Sequence, residues 1–255
     1  MPRRHDRDAG GDAELLTAKA RLRDEVWAAL QAARAARFPG AEGRIPNFVG
    51  AEVAADRLRD VPVWRAAHTV KANPDSPQWP VRQRALEDGK TLFMAVPRLA
   101  DDKPFFLLDA DRITGTPRQA TSIKGASRAA VPVDVPELRP VDLVVAGCVA
   151  VDQSGARLGK GGGFSDLELA VAAEAGLVGP DTAVVTTVHE VQVRPAGQIP
   201  TVGHDIHVDV VVTPERVIEC ARPSGYVRPR LRWGELTDDK IAAIPLLQRL
   251  RAARD

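Results

Sequence analysis

The apolar positions of this chain change period along its length, and each change marks an element. Leu15, Leu22, Val26, Trp27 and Leu30 recur at helical spacing among Ala, Arg and Lys, which predicts an amphipathic helix over 14–37, stopped by Phe38-Pro39-Gly40. A second helix is expected over 51–59. Residues 63–70 carry no helical stripe and are expected to be extended. They lead into Lys71-Ala-Asn-Pro-Asp-Ser-Pro-Gln-Trp-Pro80, a polar, proline-rich loop that is either a spacer or a positioned binding element. A short helix is expected over 81–88, ended by Gly89, another over 167–175, and a last one over 237–253 with an interruption at Pro245.

Between these lie runs of strand length. Thr91–Val96 and Phe105–Leu108 are short and apolar, whereas Leu143–Val151, Ala183–Val188 and Val208–Val212 are apolar on successive residues. Strands covered on both faces read that way. Helical patterns sit between several of them, so the expected fold is α/β: a single domain with a mostly parallel open sheet and helices on both faces, a Rossmann-like three-layer arrangement. Residues 1–13 are charged and aperiodic, and are expected to be a disordered leader. The α/β domain is expected over 14–220, with 221–255 a C-terminal extension whose terminal helix packs on the same domain.

Composition narrows the function classes. The 255 residues are 44% hydrophobic and 27% charged, as in ordinary globular proteins. A net charge of +1 argues against a general nucleic-acid footprint. No run approaches a membrane span, and Met1–Gly11 is charged rather than apolar. The expectation is a cytoplasmic protein, monomer or homodimer, with a small-molecule substrate and neither membrane nor nucleic acid as partner. Cys148 and Cys220 lack CxxC spacing and lie in or beside apolar runs, as buried free thiols do. The five histidines show no zinc spacing.

The candidate chemistry is concentrated in Arg157-Leu-Gly-Lys-Gly-Gly-Gly-Phe-Ser-Asp166, placed between an apolar run and a helical pattern. Glycines at a strand-to-helix junction can turn their N–H groups onto a phosphate, Lys160 can pair with phosphate oxygens, and Asp166 can help hold Mg²⁺. The glycine spacing fits neither the P-loop nor GxGxxG, and a plain tight turn is the other reading. Lys19 and Arg23 lie four apart, on one face of the first helix; they either bind phosphate or form a solvated basic face.

Three separated segments carry a resemblance: Lys19-Ala-Arg-Leu-Arg23; Arg157 to Asp166; and His204-Asp-Ile-His-Val-Asp209 followed by Val-Val-Val-Thr-Pro. In that order they resemble the 5-formyltetrahydrofolate cyclo-ligase (methenyltetrahydrofolate synthetase) family. The segments Val70 to Gln78, Gly159 to Glu168, Val188 to Val193 and Ile244 to Leu250 are similar to its divergent methenyltetrahydrofolate synthetase domain-containing branch.

The resemblance implies an ATP- and Mg²⁺-dependent cyclo-ligase that phosphorylates a formamide oxygen and closes a ring, giving 5,10-methenyltetrahydrofolate, ADP and phosphate. It implies nucleotide contacts from Lys19, Arg23, Arg157, Leu158, Gly159, Lys160, Gly161, Gly162, Gly163, Phe164, Ser165 and Asp166, with Arg157 and Lys160 catalytic. Asp166 and Asp209 would bind Mg²⁺, and Phe48, Glu52 and Phe164 would meet the substrate. Two departures stand out. Phe164-Ser165 replaces a pair of tyrosines, and a Glu-Gln pair is split here into Glu190-Val191-Gln192. The nucleotide motifs are kept while the substrate motifs change. The alternatives are therefore the same activation on a non-folate, thiamine-related amide or heterocycle, and a nucleotide-binding regulatory protein without turnover.

Overall fold

The computed structural model describes residues 4–96, 99, 101–113, 115–202, 205–227 and 230–254, with side chains from residue 13 onward. Helix α1 (Arg4–Ala32) comes first, followed by α2 (Ala51–Leu58) and α3 (Pro62–Ala66). Strand β1 (Thr69–Ala72), α4 (Trp79–Glu87), β2 (Thr91–Ala95) and β3 (Phe105–Leu108) come next. Then come α5 (Pro117–Ala120), α6 (Ile123–Ala129), β4 (Val131–Val133), β5 (Leu143–Val145), β6 (Ala150–Asp152) and β7 (Arg157–Leu158). The chain continues through α7 (Phe164–Glu174), β8 (Ala183–Thr187), β9 (Val193–Arg194), β10 (Val210–Val212), β11 (Val217–Glu219), α8 (Asp238–Ala242) and α9 (Pro245–Ala252).

An eight-stranded sheet forms in the order β11-β10-β8-β5-β1-β2-β3-β4. The five strands from β10 to β2 are parallel, and β11, β3 and β4 add antiparallel edges. Register aligns Val70 with both Leu92 and Leu143, so these side chains share one face. That face is packed by α2, α3 and α4, through Ala54, Leu58, Trp64, Val81 and Ala85. The opposite face presents Phe93, Val144, Val184 and Val211 to α7 and to α8 and α9, which supply Ile241, Leu246 and Leu247. This is the expected mostly parallel sheet with helices on both faces. The extension after residue 220 joins the same core as α7.

A second sheet, β7-β6-β9, stands apart and packs with α1 through Val26, Leu30, Ala150 and Leu158. It explains where the strand expected over 143–151 divides: β5 and β6 belong to different sheets, hinged at Ala146-Gly147. Residues 63–70 are likewise not one extended run, because Pro62 starts the short helix α3 before β1 begins. The first helix starts upstream of residue 14, so from Arg4 the segment expected to be a disordered leader is helical backbone; residues 1–3 lie outside the described residues. Helix elongation is cooperative, and the apolar seam of Val26 and Leu30 anchors the turns before it. No helix among the described residues is long and apolar enough to cross a membrane.

Candidate functional site

The chain crosses from β1 to β2 on one side and later returns to place β5 on the other side of β1. Such a switch point opens a crevice at the carboxyl ends of the parallel strands. Here it is a cavity of about 500 Å³, lined by Asn73, Pro74 and Asp75 after β1, by Arg157, Gly159, Lys160 and 162–166 of the glycine segment, and by Glu168 on α7. Gly147, just past β5, donates its N–H to Asn73 Oδ1 at 3.0 Å and ties the end of β5 to the loop after β1. A Cβ at Gly147 would stand 2.7 Å from Gln78 Oε1 and 3.3 Å from Asp75 Oδ2.

The loop after β1 is a positioned element rather than a spacer. Arg82, 1% exposed, donates from Nη1 to the carbonyls of Asn73 (2.6 Å) and Asp75 (3.0 Å), and from Nε to Thr121 (3.0 Å). Burial pushes its guanidinium down to about 10, with Asp75 opposing.

The glycine segment forms the facing wall. Gly161 (φ +104°) and Gly163 (φ +65°) take backbone conformations that side chains rarely adopt, and Gly163 caps α7. Phe164, Ser165 and Asp166, the first residues of α7, line the cavity, and the first N–H groups of a helix have no partner within it. Arg157 is 3% exposed; Nη1 donates to the Gly147 carbonyl at 2.7 Å and Nη2 to Asp166 Oδ1 at 2.6 Å. Burial acts to lower its pKa, but Asp166's charge and hydrogen bond outweigh that and raise it. Its Nε is buried without a partner among the described residues. Arg23 reaches the loop from α1, donating Nε to the Gly159 carbonyl at 2.7 Å, and a Cβ on Gly161 would lie 3.6 Å from its Cζ. Burial lowers the Arg23 guanidinium pKa, against the charges of Asp24 and Asp205. Lys160 is half-exposed, with Nζ 3.5 Å from Asp75 Oδ1 across the cavity mouth.

Arg23, Arg157, Gly159–Gly163, Phe164, Ser165 and Asp166 thus gather at one place. The remaining expected residues do not. Lys19 is buried with Nζ 2.6 Å from Asp205 Oδ2, so its charge is spent joining α1 to the segment before β10. The Leu158 side chain belongs to the core between α1 and the small sheet, leaving only its backbone to the loop. Phe48 is wholly buried in the core, its ring edge-on to His189 at 6.3 Å, so as a substrate contact it is corrected. Glu52 pairs with Arg37 at 2.8 Å and lines a separate hollow with Asn47 and Trp79.

Asp209 is the main correction. It precedes β10, at the amino edge of the sheet, where its Oδ1 accepts from Arg222 Nε (2.5 Å) and its Oδ2 from the Val184 N–H (2.7 Å) and Arg222 Nη2 (3.0 Å). With both oxygens engaged there, Asp209 does not fit a metal shared with Asp166. No group of three His, Cys, Asp or Glu among the described residues is placed to hold a metal. His204 lies outside the described residues.

Several cavity residues had no role assigned from the sequence: Asn73 and Asp75 on the loop after β1, and Lys71 with Glu168 beneath it. The signal was a lysine inside an apolar strand. Lys71 faces α7, and its Nζ meets Glu168 Oε2 at 2.5 Å, both groups nearly fully buried. Glu190 and Gln192 are structural: Glu190 binds Thr213 and Arg216, and Gln192 donates to the Cys148 and Val149 carbonyls.

The model of the 5-formyltetrahydrofolate cyclo-ligase family matches residues 15–214. The methenyltetrahydrofolate synthase domain-containing protein of Mus musculus is 37% identical over 244 residues, covering 91% of this chain and 63% of that protein. Its Homo sapiens counterpart is 35% identical over 241 residues, covering 91% and 61%. The chain therefore spans less than two thirds of the length of these relatives. The solved structure of Aquifex aeolicus 5,10-methenyltetrahydrofolate synthetase is similar in fold, with a TM-score of 0.51 at 21% identity over 86% of this chain and 99% of that one.

Proposed function

The chain belongs to the 5-formyltetrahydrofolate cyclo-ligase family, and from that premise we propose that it is an ATP-dependent cyclo-ligase that activates a formamide oxygen as a phosphate ester and closes a ring. The observation that carries this reading is the convergence of Arg23, Arg157 and Lys160 with Gly159–Gly163 and the amino end of α7 around one cavity. An amide oxygen leaves poorly, so phosphorylation makes the dehydration feasible, and the protein's part is positioning and charge neutralisation.

The residues present fit a nucleotide's phosphates. The loop N–H groups and Lys160 would receive them, Arg157 would fix the loop's curvature, and Arg23 would hold the loop against α1. Mg²⁺ is held in such sites by one or two carboxylates plus phosphate oxygens, and neutralises phosphate charge. Asp75 and Asp166, which line the cavity, fit that role; Asp209 does not. Incubation with ATP, Mg²⁺ and 5-formyltetrahydrofolate should release ADP and phosphate in step with methenyl absorbance. No phosphate release with any formamide would sink the reading.

A second reading keeps the activation and changes the substrate. With Phe48 buried and Glu52 bound to Arg37, Phe164 is the one aromatic ring lining the cavity among the described residues. That favours a smaller, more polar formamide than a pterin. Phosphate release with formamido-pyrimidines but not with formyl-folate would select it.

A further inference from the structure

Beneath the cavity is a carboxylate with one oxygen saturated and the other open. Glu168 Oε2 accepts from Lys71 Nζ at 2.5 Å and from Asn73 Nδ2 at 2.9 Å. Its side chain is 5% exposed, yet it lines the cavity. Oε1 has no hydrogen-bond partner among the described residues, and it is not among the side-chain atoms sealed from contact. Burying a charged group with half its acceptor capacity unused is costly unless something supplies a donor. The two bonds to Oε2 hold the carboxylate at the cavity wall and leave Oε1 as the oxygen able to receive a donor.

Ring closure supplies such a donor. The attacking nitrogen carries a proton, and when the C–N bond forms at the phosphorylated formyl carbon, that N–H becomes strongly acidic. Resting on the cyclo-ligase reading, we propose that Glu168 is the catalytic residue that accepts this proton on Oε1. In that step the C–N bond forms, the C–O bond to phosphate breaks with its electron pair leaving on phosphate, and the N–H proton passes to the carboxylate. ATP supplies the phosphoryl group beforehand. The other two carboxylates lining the cavity are those that fit Mg²⁺, and each faces a cation, Arg157 or Lys160. Asp166 Oδ1 accepts from Arg157 and from the Ile206 N–H, and Asp75 stands at the mouth opposite Lys160. Lys71 and Asn73 are positioning residues, acting through Glu168.

The test is Glu168→Gln, which keeps shape and an acceptor for Lys71. Steady-state cyclisation should fall by about 10²–10⁴-fold, the span ascribed to a positioned base, while ATP affinity stays within about twofold. Rapid mixing should show ADP formed in a burst equal to the enzyme present, with cyclised product lagging, because phosphorylation needs no base at nitrogen. A merely structural role would lower both steps together and show no burst. Should Glu168→Gln not fold, the double variant Lys71→Met/Glu168→Gln removes both charges and takes the same measurement. A variant with parental cyclisation, or one slowed without an ADP burst, overturns the proposal. A parent protein that phosphorylates no formamide instead overturns the cyclo-ligase reading on which it rests.

Discussion

Arg23 Nε lies 2.7 Å from the carbonyl oxygen of Gly159, across 136 residues of chain. The first helix is thereby fastened to the glycine loop through the loop's own backbone, and the arginine that looked like a phosphate ligand is in the first instance a clamp. Arg23→Gln should loosen the loop. A net hydrogen bond contributes about 1 kcal/mol, so ATP affinity should fall about five- to tenfold by calorimetry. Unchanged affinity would mean the loop holds its shape without α1.

Lys160 has the opposite character. Its side chain is half-exposed and its contact with Asp75 is long, at 3.5 Å, the kind of pair that adds under about 1 kcal/mol to stability. Lys160→Ala should leave the thermal midpoint within about 3 °C while raising the dissociation constant for ATP about tenfold or more, as loss of a charge-assisted phosphate contact does. A large drop in melting temperature with intact binding would reverse its assignment.

Asp209→Asn should behave as a fold variant. The pairing with Arg222 and the Val184 N–H ties the start of β10 to β8, and loss of a charged hydrogen-bonding partner costs about 2 kcal/mol. Denaturant midpoints should drop accordingly, with the Mg²⁺ concentration for half-maximal activity unmoved. A raised Mg²⁺ requirement at parental stability would restore the metal assignment.

The two thiols set an alkaline limit. Burial pushes Cys148 up to about 11, with its contact to Thr186 and the charge of Arg157 opposing. Burial likewise pushes Cys220 up to about 11, helped by Asp152 and Asp209. A folded thiol that keeps its proton to about 11 while the unfolded one releases it near 9 favours the fold below pH 9 and loses that advantage as pH rises to 11. The melting temperature should therefore fall across that window, and Cys148→Ala should flatten the fall by on the order of 2 kcal/mol. Alkylation of the native protein at pH 8 should be slow; rapid labelling would place a thiol at the surface.

What the chain discloses before folding follows from how local each signal is. Val-rich runs such as the one holding Val184 and Val185 announce strands buried on both faces, because that burial allows no polar alternation. The glycine loop's place at a strand-to-helix junction was legible since a short motif marks it, whereas the bond from Arg23 to the Gly159 carbonyl, across 136 residues, was not. Asp209 misled because its motif is local while its partner, Arg222, is supplied by a later turn of chain. Phe48 misled similarly, since only packing decides whether a ring faces a crevice or the core. Lys71 and Glu168 were hidden for the converse reason. Their meaning is a contact across 97 residues, and neither residue carries it alone.

The hydrogen bond from Gly147 to Asn73 spans 74 residues, so each wall of the crevice is drawn from a different half of the polypeptide. Cleavage at the exposed Arg139–Pro140 step would leave one fragment holding Asn73 and Asp75 and the other holding the glycine loop and Glu168. On the proposed cyclo-ligase function, neither fragment should capture a nucleotide by itself. Ligand retention would thus serve as a reporter of complementation, returning only when the severed halves are mixed and dock.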